Sequence, residues 1–228
     1  MRIMQQLALF DLDNTLIDLD AAFRVWAGEF AAERALGAGA VDWLVAVDRE
    51  GVPHREEFFT RVRERFELPE QVEDLWSAYR RRMPFLVHCR SEVLDGLRRL
   101  RASGWAVAVV TNGMADNQFG KIQRTGLAEV VDAWALSGAE GIRKPDPGLF
   151  EIAAQRCGVT LAGGGWVIGD NLIADIAGGR AAGLQTIWID RGTSPGAEHD
   201  ADHVVSDVID AIGILSDQKP MLPAPTIS

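Results

Sequence analysis

The run LALFDLDNTLIDLD, Leu7 to Asp20, places Asp11 and Asp13 two residues apart directly after four apolar residues. On an extended chain, side chains two apart point the same way. Both carboxylates therefore start on one face, where an apolar strand would end. The arrangement recurs along the chain. AVAVV (Ala106–Val110) runs into Thr111, Asn112 and Gly113, and WVIG (Trp166–Gly169) runs into Asp170 and Asn171. A helix starting near Asn171 would tilt the Asp175 side chain back toward its N-terminus and the same edge. Ionised acids crowded together raise one another's pKa unless a cation offsets them. A donor set of carboxylates alone suits Mg²⁺. Asp11, Asp13, Asp170 and Asp175 are therefore the candidate metal-site acids. Lys144, in GIRKPDPGLF and held extended by Pro145, is a cation that could balance them together with a phosphate.

Such a site needs strands that end together. The runs LALF (Leu7–Phe10), AVAVV, GWVIG (Gly165–Gly169) and QTIWI (Gln185–Ile189) are short, Val/Ile-rich and bounded by glycine or polar residues. They read as strands buried on both faces. Helical patterns lie between them. In SEVLDGLRRLRASG, Ser91 is the expected N-cap and Gly104 the stop; in DPGLFEIAAQRCG, Asp146 caps, Pro147 opens the helix and Gly158 ends it. Strands alternating with helices imply an α/β fold with an open, mostly parallel, Rossmann-like sheet flanked by helices. Ligand sites of such sheets lie at the C-terminal strand edge.

Residues 18–90 carry amphipathic helical patterns and no strand-like run. The expected organisation is a catalytic core of residues 1–17 and 91–215, an all-helical insert of 18–90 and a proline-rich C-terminal tail of 216–228. Trp26, Trp43, Trp76 and Tyr79 of the insert are expected in its core, and Arg24, His54 and Arg55 as solvated surface charges.

Composition narrows the function. Apolar residues make up 47%, enough for a sizeable core. The net charge of −10 argues against a nucleic-acid binder, and any anionic substrate needs local cations. Two cysteines, Cys89 and Cys157, give no disulfide framework. The N-terminal apolar run meets Asp11 too soon for a signal peptide. No run approaches the roughly 20 residues that span a bilayer. A cytoplasmic protein, monomer or homodimer, is expected.

Taken in order, DLDNTL, VVTNG, RKPDPGLF and IGDNLIADI resemble the four motifs of the haloacid dehalogenase superfamily, over Leu7 to about Gly192. The insert resembles the small helical cap of a subgroup that includes many metabolite phosphatases. The resemblance implies a Mg²⁺-dependent phosphatase acting on a small phosphorylated metabolite. Asp11 would be the nucleophile that forms an aspartyl-phosphate, and Asp13 the general acid and base. Asp11, the backbone carbonyl of Asp13, and Asp170 would hold Mg²⁺, with Asp175 ligating directly or through water. Thr111 and backbone N–H groups around Asn112 and Gly113 would grip the phosphoryl oxygens, and Lys144 would neutralise charge there.

Other branches fit less well. Dehalogenases lack an acid at the position of Asp13. Phosphonate-cleaving relatives use a cap lysine, and residues 18–90 contain none. Sugar phosphomutases keep the second acid but carry Gly where Asn14 stands and a His shortly after, absent from DAAFRVW. A phosphomutase, and a catalytically silent binding or regulatory protein on this fold, are the alternatives to a hydrolase.

Overall fold

Six short strands form one sheet in the order β3-β2-β1-β4-β5-β6, every neighbouring pair parallel. The structure is a computed structural model that describes residues 6–50, 55–192, 196 and 198–218. In chain order, β1 (Leu7–Phe10) leads into α1 (Leu19–Glu33), α2 (Ala40–Arg49), α3 (Arg55–Arg65) and α4 (Val72–Arg82). Then come α5 (Ser91–Ala102), β2 (Ala106–Thr111), α6 (Ala115–Arg124), β3 (Ala133–Leu136), the single turn α7 (Ser137–Glu140) and α8 (Pro147–Arg156). The chain closes with β4 (Trp166–Gly169), a π-helical turn (Leu172–Ala177) running into α9 (Gly178–Ala181), β5 (Gln185–Ile189), β6 (His203–Val205) and α10 (Val208–Asp217).

The alternation of a strand explains the two-sided core. Ala8 and Phe10 of β1, with Val107, Val109 and Ile168, face α5 and α10 through Val93, Leu97, Ala211 and Ile212. Leu7 and Leu9, with Ala108, Val110 and Val167, face the opposite layer, where α8 supplies Leu149, Phe150, Ala153 and Ala154. Both faces are covered, so the strands are apolar throughout. β1 lies between β2 and β4, Leu9 opposite Ala108 on one side and Val167 on the other. The strand order reverses there, which opens a crevice beyond its C-terminal end.

The helical segment has its own aromatic centre, in which Trp26 meets Tyr79 edge-on at 5.0 Å and Phe23 meets Phe58 at 5.7 Å. These rings are buried and continuous with the core on the α5/α10 face. Trp43 is half-buried against Phe66. Trp76 is likewise half-buried and packs against that core, and it also lines a cavity, because the inward stripe of α4 is carried by Leu75 and Tyr79.

Several local expectations hold. Asp146 accepts from the Gly148 N–H at 2.8 Å ahead of Pro147, and Gly158 adopts φ 74° just past α8. Others are corrected. Arg90, not Ser91, occupies the N-cap of α5, and the Ser91 hydroxyl bonds Glu92 at 3.2 Å. α10 runs on through Ser216 and Asp217, so the core extends past residue 215; residues 219–228 of the expected tail lie outside the described residues. Two strands have no counterpart in the sequence reading. β3 is four residues long, and β6 is a three-residue edge strand with two exposed positions. No helix among the described residues is long and apolar enough to cross a membrane.

Candidate active site

β1 delivers Asp11 into the crevice, and the Asp11 N–H continues the ladder by donating to Ile168 O at 2.8 Å. Lys144, carried on the loop before α8, reaches the same point. Its Nζ donates to Asp11 Oδ1 at 2.6 Å, to Asp175 Oδ1 at 2.6 Å and to Val110 O at 2.7 Å. Asp175 sits in the π-helical turn after β4, with its Oδ2 accepting from the Asn171 N–H at 3.0 Å. Asn171 caps that turn through Ile173 N and Ala174 N. The fit needs glycine at 169, where a Cβ would lie 2.2 Å from Asp175 Oδ2.

Asp11, Asp170 and Asp175 each offer an oxygen, all within 4.8 Å of one another. Hard oxygen donors at this spacing, from acids at least half buried, fit Mg²⁺. The electrostatics point the same way. Burial, then the charges of Asp11 and Asp175, push the Asp170 carboxyl up to about 8. Burial also raises Asp11, to about 7, with Lys144 opposing and Asp175 adding. Burial disfavours the Lys144 ammonium, yet Asp11 and Asp175 outweigh it and hold its pKa above the ordinary lysine value. One lysine does not balance three acids, and a divalent cation would.

Asp13 stands outside this cluster. Its two oxygens accept from Lys121 Nζ at 2.8 and 2.9 Å, and Oδ2 also accepts from Gln118 Nε2 at 2.9 Å. Gln118 Nε2 donates as well to Thr111 Oγ1 at 2.7 Å, which links the end of β2 to Asp13. Asn112 clasps the Lys144 backbone, its Nδ2 donating to Lys144 O at 3.0 Å and its Oδ1 accepting from Lys144 N at 2.9 Å. The Gly113 N–H donates to Ser137 Oγ at 2.9 Å. Asn14, at φ 60°, exchanges two hydrogen bonds with Asp20 and ties the loop after β1 to the start of α1. Asp18 caps α1 through Ala21 N. Thus Asp11, Asp170, Asp175 and Lys144 meet directly, Asp13 and Thr111 meet through Gln118, and Asn112 and Gly113 brace the surrounding loops.

Lys121 and Gln118 escaped the sequence reading, although a signal was present. α6 buries Asn117, Gln118 and Lys121 on its inner face, where an ordinary amphipathic helix carries apolar residues. Arg55 corrects the surface-charge expectation, because it pairs with Asp48 and lines the cleft. Arg24 is exposed as expected, and His54 lies outside the described residues.

Two adjoining cavities make up the cleft, and Asp13, Leu19, Arg55, Asn112 and Arg143 line both. One, of about 880 Å³, holds Asp11, Asp170, Asp175 and Lys144. The other, of about 530 Å³, opens on the far side of Asp13 between α4 and α6.

Known proteins share this organisation. The haloacid dehalogenase-like hydrolase family matches residues 5–183. A phosphoserine phosphatase of Thermus thermophilus is 34% identical over 183 residues, 77% of this chain and 72% of the relative. A ribulose-1,5-bisphosphate 5-phosphatase of Halopiger xanaduensis is 31% identical over 147 residues, 62% of this chain and 59% of that one. The magnesium-bound crystal structure of the HAD-hydrolase YfnB from Bacillus subtilis superposes with a TM-score of 0.74 at 22% identity, covering 93% of this chain and 99% of that one, and so shares the fold. With its four motifs meeting at one strand edge and its relatives named as phosphatases, the chain belongs to the haloacid dehalogenase-like hydrolase family, as a phosphatase.

Proposed function

We propose that this phosphatase hydrolyses small phosphomonoester metabolites through an aspartyl-phosphate on Asp11, with Mg²⁺ as cofactor. The observation that carries the reading is the meeting of Asp11, Asp170 and Asp175 around Lys144, with Asp13 alongside but held apart from the cluster. A carboxylate free to attack and a second one reserved for proton transfer are what a two-step phosphoryl transfer requires.

The chain's own residues divide the work. An Asp11 oxygen attacks phosphorus as the bond to the ester oxygen breaks. Asp13 gives that oxygen a proton, so the leaving group departs as an alcohol. Asp13, now ionised, takes a proton from water as the water attacks the phosphoryl group on Asp11. Inorganic phosphate leaves, and Asp11 is restored. Lys144 keeps the Asp11 carboxylate in place and offsets phosphoryl charge, with Thr111 and the loop at Asn112 and Gly113 around it. Asp11, Asp170 and the Asp13 backbone carbonyl, with Asp175 directly or through water, would hold Mg²⁺, which would supply charge that lets an anion approach an anion.

Residues 18–90 act as a cap that closes over the cleft, hinged near 18–20 and 88–90. Closure excludes bulk water and limits substrate size. The test is phosphate release from a broad phosphomonoester panel with Mg²⁺, combined with trapping of phosphorylated Asp11. Turnover without any phosphorylated Asp11 would overturn the mechanism.

A further inference from the structure

We propose that the chamber beyond Asp13 binds an anionic group on the leaving alcohol. The preferred substrates are then phosphomonoesters that carry a second acid, either a carboxylate or another phosphate. This inference rests on the phosphatase reading above and deepens it.

The two halves of the cleft differ in charge. Six acids line the larger half, among them the cluster around Lys144, against five cations, of which Arg55 and Arg143 are shared with the second chamber. The chamber beyond Asp13 has the opposite balance, with Arg55, Arg80, Lys121 and Arg143 against Asp13 and Glu56. Lys121 and Asp13 neutralise each other, and Arg55 is met by Asp48 of α2. Arg143 and Arg80 are held less closely. Arg143, exposed on the loop just before Lys144, makes no ion pair among the described residues. Arg80 stacks on Trp76 at 4.5 Å, with side-chain exposure of only 13%. It pairs at long range with two well-solvated acids: Nη2 donates to Glu73 Oε1 at 3.4 Å and Nε lies 3.5 Å from Asp116 Oδ2, the acids exposed by 65% and 60%. Arg80 Nε is buried and donates no hydrogen bond. A buried donor without an acceptor is costly, and a bound anion would remove that cost.

In a chain of net charge −10, an Arg143 unpaired among the described residues and an Arg80 paired only with solvated acids, both beside Asp13, mark a place for negative charge. Glu56, the opposing acid, is exposed in the first turn of α3. Buried Asn117 Oδ1 also lines the chamber and accepts no hydrogen bond. A hydroxyl or ammonium beside the acid would supply the missing donor. Leu19, Trp76, Met114 and Ile142 give the remaining wall an apolar lining suited to a short carbon skeleton.

The test measures kcat/KM for phosphate release by the full chain with Mg²⁺ over matched pairs. 2-Phosphoglycolate is compared with ethyl phosphate, and 3-phosphoglycerate and phosphoserine with glycerol 1-phosphate. Fructose 1,6-bisphosphate is compared with fructose 1-phosphate and fructose 6-phosphate. The acidic members are expected to lead by about tenfold or more, the worth of one charge-assisted contact. The carboxylate and bisphosphate arms distinguish the two sources of charge. Arg80→Gln and Arg143→Gln are each expected to reduce the acid-to-neutral ratio, chiefly through KM. Arg143 is exposed, so its variant keeps the test decisive even if the Arg80 variant misfolds. Acidic and neutral members within about twofold of each other in every pair, or ratios unmoved in the folded variants, would overturn the inference. Phosphate release from no ester at all, p-nitrophenyl phosphate included, would instead overturn the phosphatase reading and this inference with it.

Discussion

Lys121 Nζ lies 2.8 and 2.9 Å from the two carboxylate oxygens of Asp13, although 108 residues separate them in sequence. Lys121 is almost wholly buried, so its charge is committed to this one carboxylate. Together with Gln118 it fixes where Asp13 points. Lys121→Met is therefore expected to slow hydrolysis of alkyl phosphates by roughly 10²-fold, at the lower end of what a positioned acid–base group contributes. The loss should be smaller on p-nitrophenyl phosphate, whose leaving group needs no proton, and Lys121→Arg should recover part of it. Equal losses on both ester types would reduce Lys121 to a packing role.

The two acids of the first motif separate in the same way. Asp11→Asn removes the proposed nucleophile and is expected to abolish both turnover and the phosphorylated intermediate. Asp13→Asn should slow alkyl esters by roughly 10²–10⁴-fold and activated esters less. Rapid-quench measurement of phosphorylated protein and a leaving-group series check the assignment. A phosphorylated Asp11→Asn protein would refute it.

Lys144 is the permanent counter-charge of the cluster, with 2% of its side chain exposed. Lys144→Met leaves the carboxylates of Asp11 and Asp175 uncompensated. In EDTA it is expected to lose roughly 3–5 kcal/mol of stability, the usual cost of breaking a buried pair. Saturating Mg²⁺ should return part of that loss without restoring turnover. EDTA should also silence the unaltered enzyme, and Ca²⁺, with its larger and looser shell, should inhibit it. Denaturant titrations and phosphate release read these effects, and full activity after exhaustive metal removal would refute the cofactor assignment.

The raised carboxyls give a pH dependence with a definite sign. Asp170 is raised to about 8 and Asp11 to about 7, both from a starting value of 3.8. Between those limits the metal-free folded state holds more protons than the unfolded chain, so these groups stabilise it most at low pH. Their contribution falls as pH rises from about 4 to about 8. The proposed Mg²⁺ would bind the ionised acids, so its stabilising effect should grow over the same interval. Thermal melts at pH 5, 6.5 and 8, with Mg²⁺ and with EDTA, test this, and Asp170→Asn should flatten the EDTA trend. A metal-induced shift in melting temperature that shrinks with rising pH would contradict it.

If the helical insert is a cap, replacing residues 18–90 with a short Gly/Ser linker should abolish discrimination among small substrates. The intact enzyme should leave folded phosphoproteins untouched. A linker variant with unchanged rate and selectivity would move specificity to the core.

The sequence by itself determined the strands of the catalytic edge and the acids at their ends, because both follow from local rules. A run such as LALF is apolar at every position only if it is covered on both sides, and a polar residue at its end marks where cover stops. β6 escaped because HVV is too short to carry a period, and β3 because the two alanines of AWAL favour no strand, so the pairing of both is decided by the strands beside them. Asp11, Asp170, Asp175 and Lys144 were legible because each belongs to a motif at a strand end or the loop before a helix. Only tertiary structure decided who faces whom. Lys121 and Gln118 look like the polar face of a helix until α6 turns them inward toward Asp13. Arg55 reads as a solvated charge until the insert folds and makes it, with Arg80, a wall of the cleft. Strand ends are fixed by residues next to each other in sequence. The pairing of buried charges is fixed by the docking of elements more than a hundred residues apart, as Lys144 and Asp11 are at a separation of 133, and no local pattern encodes it.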